Sequence, residues 1–131
     1  MKNQALQTVQ QFLAAVQQFD VPQLQALLHP AVKWQAPGSN RFSGEKQNAG
    51  EVFEMVGGMM AASGNTFSLA EIKSVAVNGN RVACVLRFTA SREGAVMDTD
   101  NTDVYTVENG QITAVEAFAT EPEKEDAFWG K

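Results

Sequence analysis

Residues 101–119 read NTDVYTVENGQITAVEAFA, and this stretch decides the fold class. Apolar and polar residues alternate on both sides of Asn109-Gly110, as they do in two strands joined by a tight turn. A type I′ turn needs positive φ at both central positions, which Asn and Gly adopt at low cost. The stretch therefore predicts a β-hairpin, with strands over roughly 95–108 and 111–120.

The same pattern extends upstream, where two more strands are predicted over roughly 66–77 and 81–92. Asn78-Gly79 is a strong hairpin turn between them, and Glu93-Gly94 is a weaker turn before the next strand. Strands joined by consecutive hairpins form a meander, so the predicted sheet is antiparallel.

The first half of the chain has helical periodicity instead. One apolar stripe recurs at helical spacing, formed by Leu6, Val9, Phe12, Leu13, Val16 and Phe19. A second helix is predicted from Asp20, which has the N-cap side chain, to His29-Pro30. A short strand follows over 31–36, and a third helix follows Ser43. The order of elements predicts an α+β fold: a curved antiparallel sheet wrapped around three helices of the N-terminal half, enclosing a pocket.

We expect one domain over residues 1–131, because this length buries a core without covalent support. Residues 121–131 form its C-terminal tail, which begins polar and ends in the apolar pair Phe128-Trp129. This pair either closes the mouth of the pocket or packs on a partner subunit.

The composition excludes several partners. The formal net charge is −5 and no Lys/Arg cluster occurs, so a nucleic acid is not an expected partner. The start of the chain has no signal-peptide pattern and no stretch long and apolar enough to span a membrane, so a cytoplasmic location without a membrane partner is expected. Cys84 has no second cysteine to pair with, and His29 is the single histidine, so neither a disulfide nor a metal or other cofactor is expected.

Alternation also sorts the strand residues into two faces. The face that carries Cys84, Leu86 and Phe88 is the natural partner of the helices. The opposite face still carries Val85 and Phe118, together with Val104, and is therefore unusually apolar for a solvated surface. We expect this outer face to form a homodimer interface.

Three groups of residues carry a resemblance to a known family. They are residues 11–16 with Asp20 and Leu24, residues 27–32, and residues 103–112, with Gly38-Ser39 and Phe42-Ser43-Gly44 between them. In this layout the chain resembles the nuclear-transport-factor-2-like superfamily and, within it, the ketosteroid-isomerase-like and SnoaL-like polyketide-cyclase branch. The resemblance implies a cystatin-like cone with a ligand pocket.

Of the three catalytic positions of the steroid isomerases, one holds a matching residue in this chain and two do not. Phe12 falls where the steroid isomerases have a tyrosine, and Gln35 falls where they have the base aspartate. Asp103 matches their protonated aspartate, whose carboxyl stays neutral in an apolar site and donates a hydrogen bond. Asn101 stands where the epoxide-hydrolase pattern has an arginine, and Val115 or Ala117 stands where it has a second aspartate. Steroid isomerisation and epoxide hydrolysis by those mechanisms are therefore disfavoured.

The resemblance to the SnoaL-like cyclases implies that one acid serves as the acid/base, and Asp103 is the candidate. Gln35, Asn101 or Tyr105 would orient a ligand oxygen. The predicted pocket residues are Phe12, Val16, Gln35, Phe53, Val56, Met60, Cys84, Leu86, Phe88, Asn101, Tyr105, Val115 and Ala117. Asp103 as a purely structural buried carboxylate is the alternative interpretation of the same residue.

The predicted function is binding of a small apolar or polycyclic molecule, with or without isomerase- or cyclase-like acid/base chemistry at Asp103. The alternative is a non-catalytic ligand-binding module, or a dimerisation or protein-interaction module, because one fold serves many functions. Trp34 alternates with Gln35 and is expected at the rim or the interface instead of the pocket.

Overall fold

The computed structural model describes residues 3–131 as four helices and six strands. In chain order these are α1 (Gln4–Gln18), α2 (Val21–Leu27), β1 (Leu28–Ala36), β2 (Gly44–Lys46), α3 (Ala49–Ala62), β3 (Ser68–Asn78), β4 (Arg81–Arg92), β5 (Ala95–Glu108), β6 (Gln111–Ala119) and α4 (Pro122–Trp129). The predicted α+β class is confirmed.

The strands form one curved sheet in the order β2-β1-β6-β5-β4-β3. Strands β3 to β6 are the predicted antiparallel meander, and the turn at Asn109-Gly110 has φ of 53° and 76° at its two residues. Strand β1 pairs with β6 in parallel, with Trp34 opposite Val115. The sheet is therefore mixed and not wholly antiparallel as predicted. A parallel pair needs a long crossover connection, and the chain between β1 and β6 is long enough to supply it.

The first three helices begin at capping residues. Asn3, Asp20 and Asn48 each accept a hydrogen bond from a backbone amide of the first turn, at 3.0, 3.3 and 2.9 Å. Helix α3 begins at Ala49 instead of directly after Ser43, because residues 44–46 pair with β1 as the short strand β2. Within residues 3–131, no helix has the length and hydrophobicity to cross a bilayer.

The core lies between α1 and the inner face of the sheet. Val9 and Leu13 of α1 are buried against a sheet face that includes Val82, Leu86 and Tyr105, and all five are nearly inaccessible to water. Burying each of these side chains contributes on the order of 2 kcal/mol to folding. This packing confirms the buried stripe at Val9, Phe12 and Leu13, whereas Phe19, predicted to belong to it, follows the end of the helix and is half exposed.

Most of the C-terminal tail, residues 121–131, forms the helix α4, for which no secondary structure was predicted. Phe128 and Trp129 of α4 are buried in a second apolar cluster with Ala90 and Met97. The Nε of Arg92 donates to the Phe128 carbonyl at 2.7 Å, so a cation caps the negative end of the helix. The fold therefore has three helices in its N-terminal half and a fourth helix at its C-terminus.

Segment 39–41 holds α4 from the other side. The side-chain amide of Asn40 and the backbone amide of Ser39 donate to Asp126 Oδ1 at 2.8 and 2.9 Å. The backbone amide of Arg41 donates to the Gly130 carbonyl at 2.9 Å. Helix α4 is thus held by two separate segments of the chain and closes one end of the sheet's hollow.

Candidate functional site

A cavity of about 160 Å³ lies between the inner face of the sheet and helices α1, α3 and α4. Its walls are mostly apolar. Eleven of the fourteen predicted site residues line it: Phe12, Val16, Phe53, Val56, Met60, Leu86, Phe88, Asn101, Asp103, Tyr105 and Ala117.

Three predicted residues do not line the cavity. The side chain of Gln35 is exposed, and its neighbour Trp34 lines the cavity instead, because adjacent strand residues point to opposite faces. The sequence-based placement of both residues is therefore corrected. Cys84 and Val115 are fully buried in the core without reaching the cavity wall.

Strand β5 presents a polar stripe to the cavity, formed by Thr99, Asn101, Asp103 and Tyr105. The two-residue period of the strand places all four side chains on the inner face. Asp103 is 3% exposed; its Oδ2 accepts a hydrogen bond from the Tyr105 hydroxyl at 3.2 Å, and its Oδ1 has no hydrogen-bond partner. Thr99 Oγ1 is also buried and unpaired. A buried polar atom without a partner costs about 1–3 kcal/mol, so a ligand that donates to Oδ1 gains by pairing it.

Burial raises the pKa of the Asp103 carboxyl to about 7. The hydrogen bond from Tyr105 opposes this shift, and the nearby charge of Glu125 adds to it. Burial also raises the pKa of Tyr105 well above its usual value and that of Cys84 to about 12. Asp103 therefore changes its charge near neutral pH, while Tyr105 and Cys84 stay neutral.

Glu125 of α4 is a second acid of the cavity, and the sequence analysis missed it. Burial raises its pKa to about 7, with a smaller contribution from Asp126. When the Asn101 amide is oriented so that its nitrogen faces acceptors, Nδ2 donates to Glu125 Oε2 at 2.9 Å and to the Asp100 carbonyl at 3.1 Å. Asn101 thus connects the polar stripe of β5 to α4.

A sequence signal for this second acid existed. Pro122 suits the first turn of a helix, and Glu125, Phe128 and Trp129 recur at steps of three and one. That spacing places the carboxyl on the same face as the two aromatic rings.

Trp129 closes the cavity at the α4 end. Its ring meets those of Phe42 and Phe67 edge-on, with centroids 5.3 and 5.5 Å apart. Of the two placements considered for Phe128-Trp129, the structure has the pair folded back onto its own chain, with Trp129 in the cavity wall.

The other end of the cavity reaches the surface at the turn between α1 and α2. Phe19 lines this end and is 50% exposed. Its φ of 53° is in the left-handed region, which glycine usually fills at the C-terminus of a helix. An aromatic side chain there costs about 1 kcal/mol of backbone strain.

In the part of the chain that the structure describes, no three His, Cys, Asp or Glu side chains converge as metal ligands do. The polar groups of the cavity are those of the β5 stripe, with Asn40, Ser68 and Glu125. The arrangement can therefore donate and accept protons and hydrogen bonds through its own side chains.

These features define a small α+β protein with an apolar, acid-containing cavity beneath a curved sheet. The family model described as the SnoaL-like domain matches residues 9–115, and the chain belongs to this family. The match confirms the resemblance inferred from sequence.

The chain is similar to one known protein in sequence and to two solved structures in fold. An uncharacterized protein of Mycobacterium tuberculosis is 27% identical over 124 residues, which are 95% of each chain. A crystal structure of a protein of unknown function with a cystatin-like fold from Xanthomonas campestris has 30% identity and a TM-score of 0.94, over 99% of this chain and 100% of that one. A putative SnoaL-like polyketide cyclase from Jannaschia sp. CCS1 has a TM-score of 0.76 at 14% identity, covering 98% and 93% of the two chains, so it shares the fold.

Proposed function

We propose that the protein binds a small, mostly apolar molecule in this cavity, with a polar group of that molecule against Asp103. The observation that carries the proposal is the unpaired Oδ1 of Asp103, buried at the wall of an apolar hollow. Native structures pair nearly all buried polar atoms, and each unpaired one calls for an explanation such as a catalytic role. A structural carboxylate would instead have its oxygens paired within the protein.

Asp103 is also the acid/base group that this site offers. A pKa of about 7 lets one carboxyl both take and return a proton near neutral pH, as general acid–base catalysis requires. Phe12 lines the cavity without a hydroxyl and Gln35 lies outside it, so the steroid-isomerase arrangement is absent among these residues. The proposed chemistry is a proton transfer at Asp103 of the isomerase or cyclase type, in keeping with the family.

The size of the cavity limits its ligand. Small-molecule sites usually measure about 300–1,000 Å³, whereas this cavity, at about 160 Å³, is near the engineered cavity of ~150 Å³ that holds benzene. A ligand with one ring fits without rearrangement. A polycyclic ligand requires an outward movement of Phe19 or of α4.

We expect toluene and benzyl alcohol to bind to the wild-type protein, as detected by chemical-shift changes of cavity residues and a rise in melting temperature. Val56→Trp fills the cavity from α3 and should weaken binding at least tenfold. Val96→Trp is the control, since Val96 is 80% exposed at the start of β5. Wild-type affinity in a folded Val56→Trp variant would place the binding site elsewhere.

The outer face of the sheet supports a second proposal, that two copies of the chain pair through it. Val85, Thr102 and Phe118 form a row across β4, β5 and β6, and Phe118 is 51% exposed. Charges near this row are already paired within the chain, as in Arg87–Asp98 at 2.7 Å and Lys73–Asp100 at 2.9 Å. An apolar centre with neutralised surroundings is self-complementary, as a two-fold interface requires.

Light scattering after size exclusion should therefore give twice the chain mass of 14.2 kDa at micromolar concentration. Phe118→Glu places a charge at the centre of the face and should give a monomer, whereas Glu123→Gln on the exposed side of α4 should stay dimeric. A monomeric wild-type protein would refute the proposal.

A further inference from the structure

We infer that the polar group of the ligand is a protonated amine, held between the carboxyls of Asp103 and Glu125. This inference rests on the proposed function, since it specifies the ligand of the same cavity. Three observations support it: an unpaired buried carboxyl oxygen, a cavity lining without a positively charged side chain, and aromatic rings in the cavity wall.

The hydrogen-bond inventory at the acid pair leaves acceptors without donors. The Tyr105 hydroxyl proton is used on Asp103 Oδ2, and the Asn101 amide is used on Glu125 Oε2 and the Asp100 carbonyl. Asp103 Oδ1 then has no donor to accept from. Thr99 lies four residues away along β5, about 13 Å at 3.4 Å per residue, and is too far to supply one. An ammonium group brings three donors to this point.

The charged residues that line the cavity also favour a positively charged ligand. Two carboxyls line the cavity, and no Lys, Arg or His of residues 3–131 lines it. An anionic ligand would meet repulsion in a medium of low dielectric constant, whereas a cation would neutralise the pair.

Aromatic rings line the cavity around Tyr105 and at the α4 end. Phe12 and Trp34 pack around Tyr105, with centroids 5.7 and 6.5 Å from its ring. Phe42 and Trp129 form the wall at the α4 end. The faces of such rings attract a desolvated cation by about 2 kcal/mol.

The protonation state of the two cavity acids determines whether the affinity for a ligand rises or falls with pH. The groups that face Asp103 are Tyr105, Cys84 of β4 and Glu125 of α4, and Asp126 adjoins Glu125. A bound ammonium favours the ionised form of both cavity acids, so its affinity rises as they lose protons. A ligand that accepts a hydrogen bond from a protonated carboxyl has the opposite dependence.

The probes are four one-ring compounds of nearly equal size: toluene, benzyl alcohol, benzylamine and benzoate. Titrations followed by protein NMR between pH 5.5 and 8 give the affinity of each. Benzylamine stays mostly protonated throughout this range, because alkyl amines titrate well above pH 8. We expect it to bind at least tenfold more tightly than benzyl alcohol at pH 8, and at least tenfold more tightly at pH 8 than at pH 5.5. Benzoate should bind most weakly.

Two isosteric variants localise the effect. Asp103→Asn and Glu125→Gln should each lower the ratio of the benzylamine affinity to the toluene affinity at least tenfold. Glu123→Gln is the matched control, since Glu123 lies on the exposed side of the same helix. If either isosteric variant fails to fold, the pH dependence of the wild-type protein still tests the inference.

The outcomes separate the two proposals. Failure of all four compounds to bind overturns the proposed function. Binding of toluene and benzyl alcohol without a preference for benzylamine, or with an affinity for benzylamine that falls as the pH rises, overturns the inference and keeps the function. A preference that survives both isosteric variants also overturns it, because the amine would then be held elsewhere.

Discussion

Asp103→Asn is expected to be more stable than the wild-type protein at pH 8, by up to about 4 kcal/mol. Burial raises the pKa of this carboxyl from 3.8 to about 7, so the folded state binds its proton more tightly than the unfolded state does. Below about pH 4 the group is protonated in both states, and its burial then costs least. As the pH rises from about 4 to 7, the unfolded state gains from ionisation while the folded state does not. The free energy of unfolding therefore falls over this range and levels off above it.

Asparagine has the shape of the protonated acid and does not titrate, so the variant escapes this loss. Urea unfolding at a series of pH values from 4 to 8 measures the free energy of unfolding of both proteins. The difference between the variant and the wild type at each pH gives the contribution of Asp103 separately from those of Glu125 and the other acids. Glu123→Gln is the control, because its exposed carboxyl stays in water in both states. A constant difference across the pH series would show that Asp103 is ionised in the folded protein throughout.

Trp129→Ala is expected to lower the free energy of unfolding by about 3–5 kcal/mol. The side chain is 6% exposed and packs edge-on against Phe42, Phe67 and Phe128, with centroids 5.3, 5.5 and 4.8 Å from its own ring. Its removal leaves a void that joins the cavity, since the ring is part of the cavity wall. The hydrogen bonds of α4 with Arg92 and with segment 39–41 remain in the variant, so the loss measures packing.

Chemical denaturation of the two proteins at pH 8 gives this difference above the pH range in which the titration of the cavity acids changes the stability. Val96→Ala should change stability by less than about 0.5 kcal/mol, because Val96 is 80% exposed. A loss below about 1 kcal/mol in Trp129→Ala would mean that α4 contributes little to the fold. A ligand that stabilises the variant more than the wild type would show that the enlarged cavity is accessible.

The central hairpin of the fold could be predicted because its signals are local. Asn109-Gly110 specifies the turn, and strict alternation along β5 places Asn101, Asp103 and Tyr105 on one face. Once the helices cover that face, all three side chains must enter the hollow beneath them. The inward position of Asp103 could therefore be predicted from the two-residue period of the strand.

Two positions differ from what the sequence alone indicated. Val32, Trp34 and Ala36 of β1 alternate regularly toward the inner face, so the placement of Trp34 and Gln35 was wrong in which face of the strand the helices cover. In β6, a register shift against β5 between Thr106 and Val107 brings Ile112 into the core, although alternation places it with Phe118 on the outer face. Bulges of this kind change the face of a side chain and depend on the partner strand.

The sequence by itself determined the α+β class, the order of the meander and the inward direction of Asp103, since turn chemistry and side-chain periodicity act between residues close along the chain. Only the tertiary structure decided that the last residues form α4 and that Glu125 joins Asp103 in the cavity. Helix α4 is held by Asn40, Arg41 and Arg92, which lie far from it in sequence. The pKa values of the two acids are raised because both carboxyls are buried away from water. The cavity walls that bury them are formed by segments far apart in the sequence.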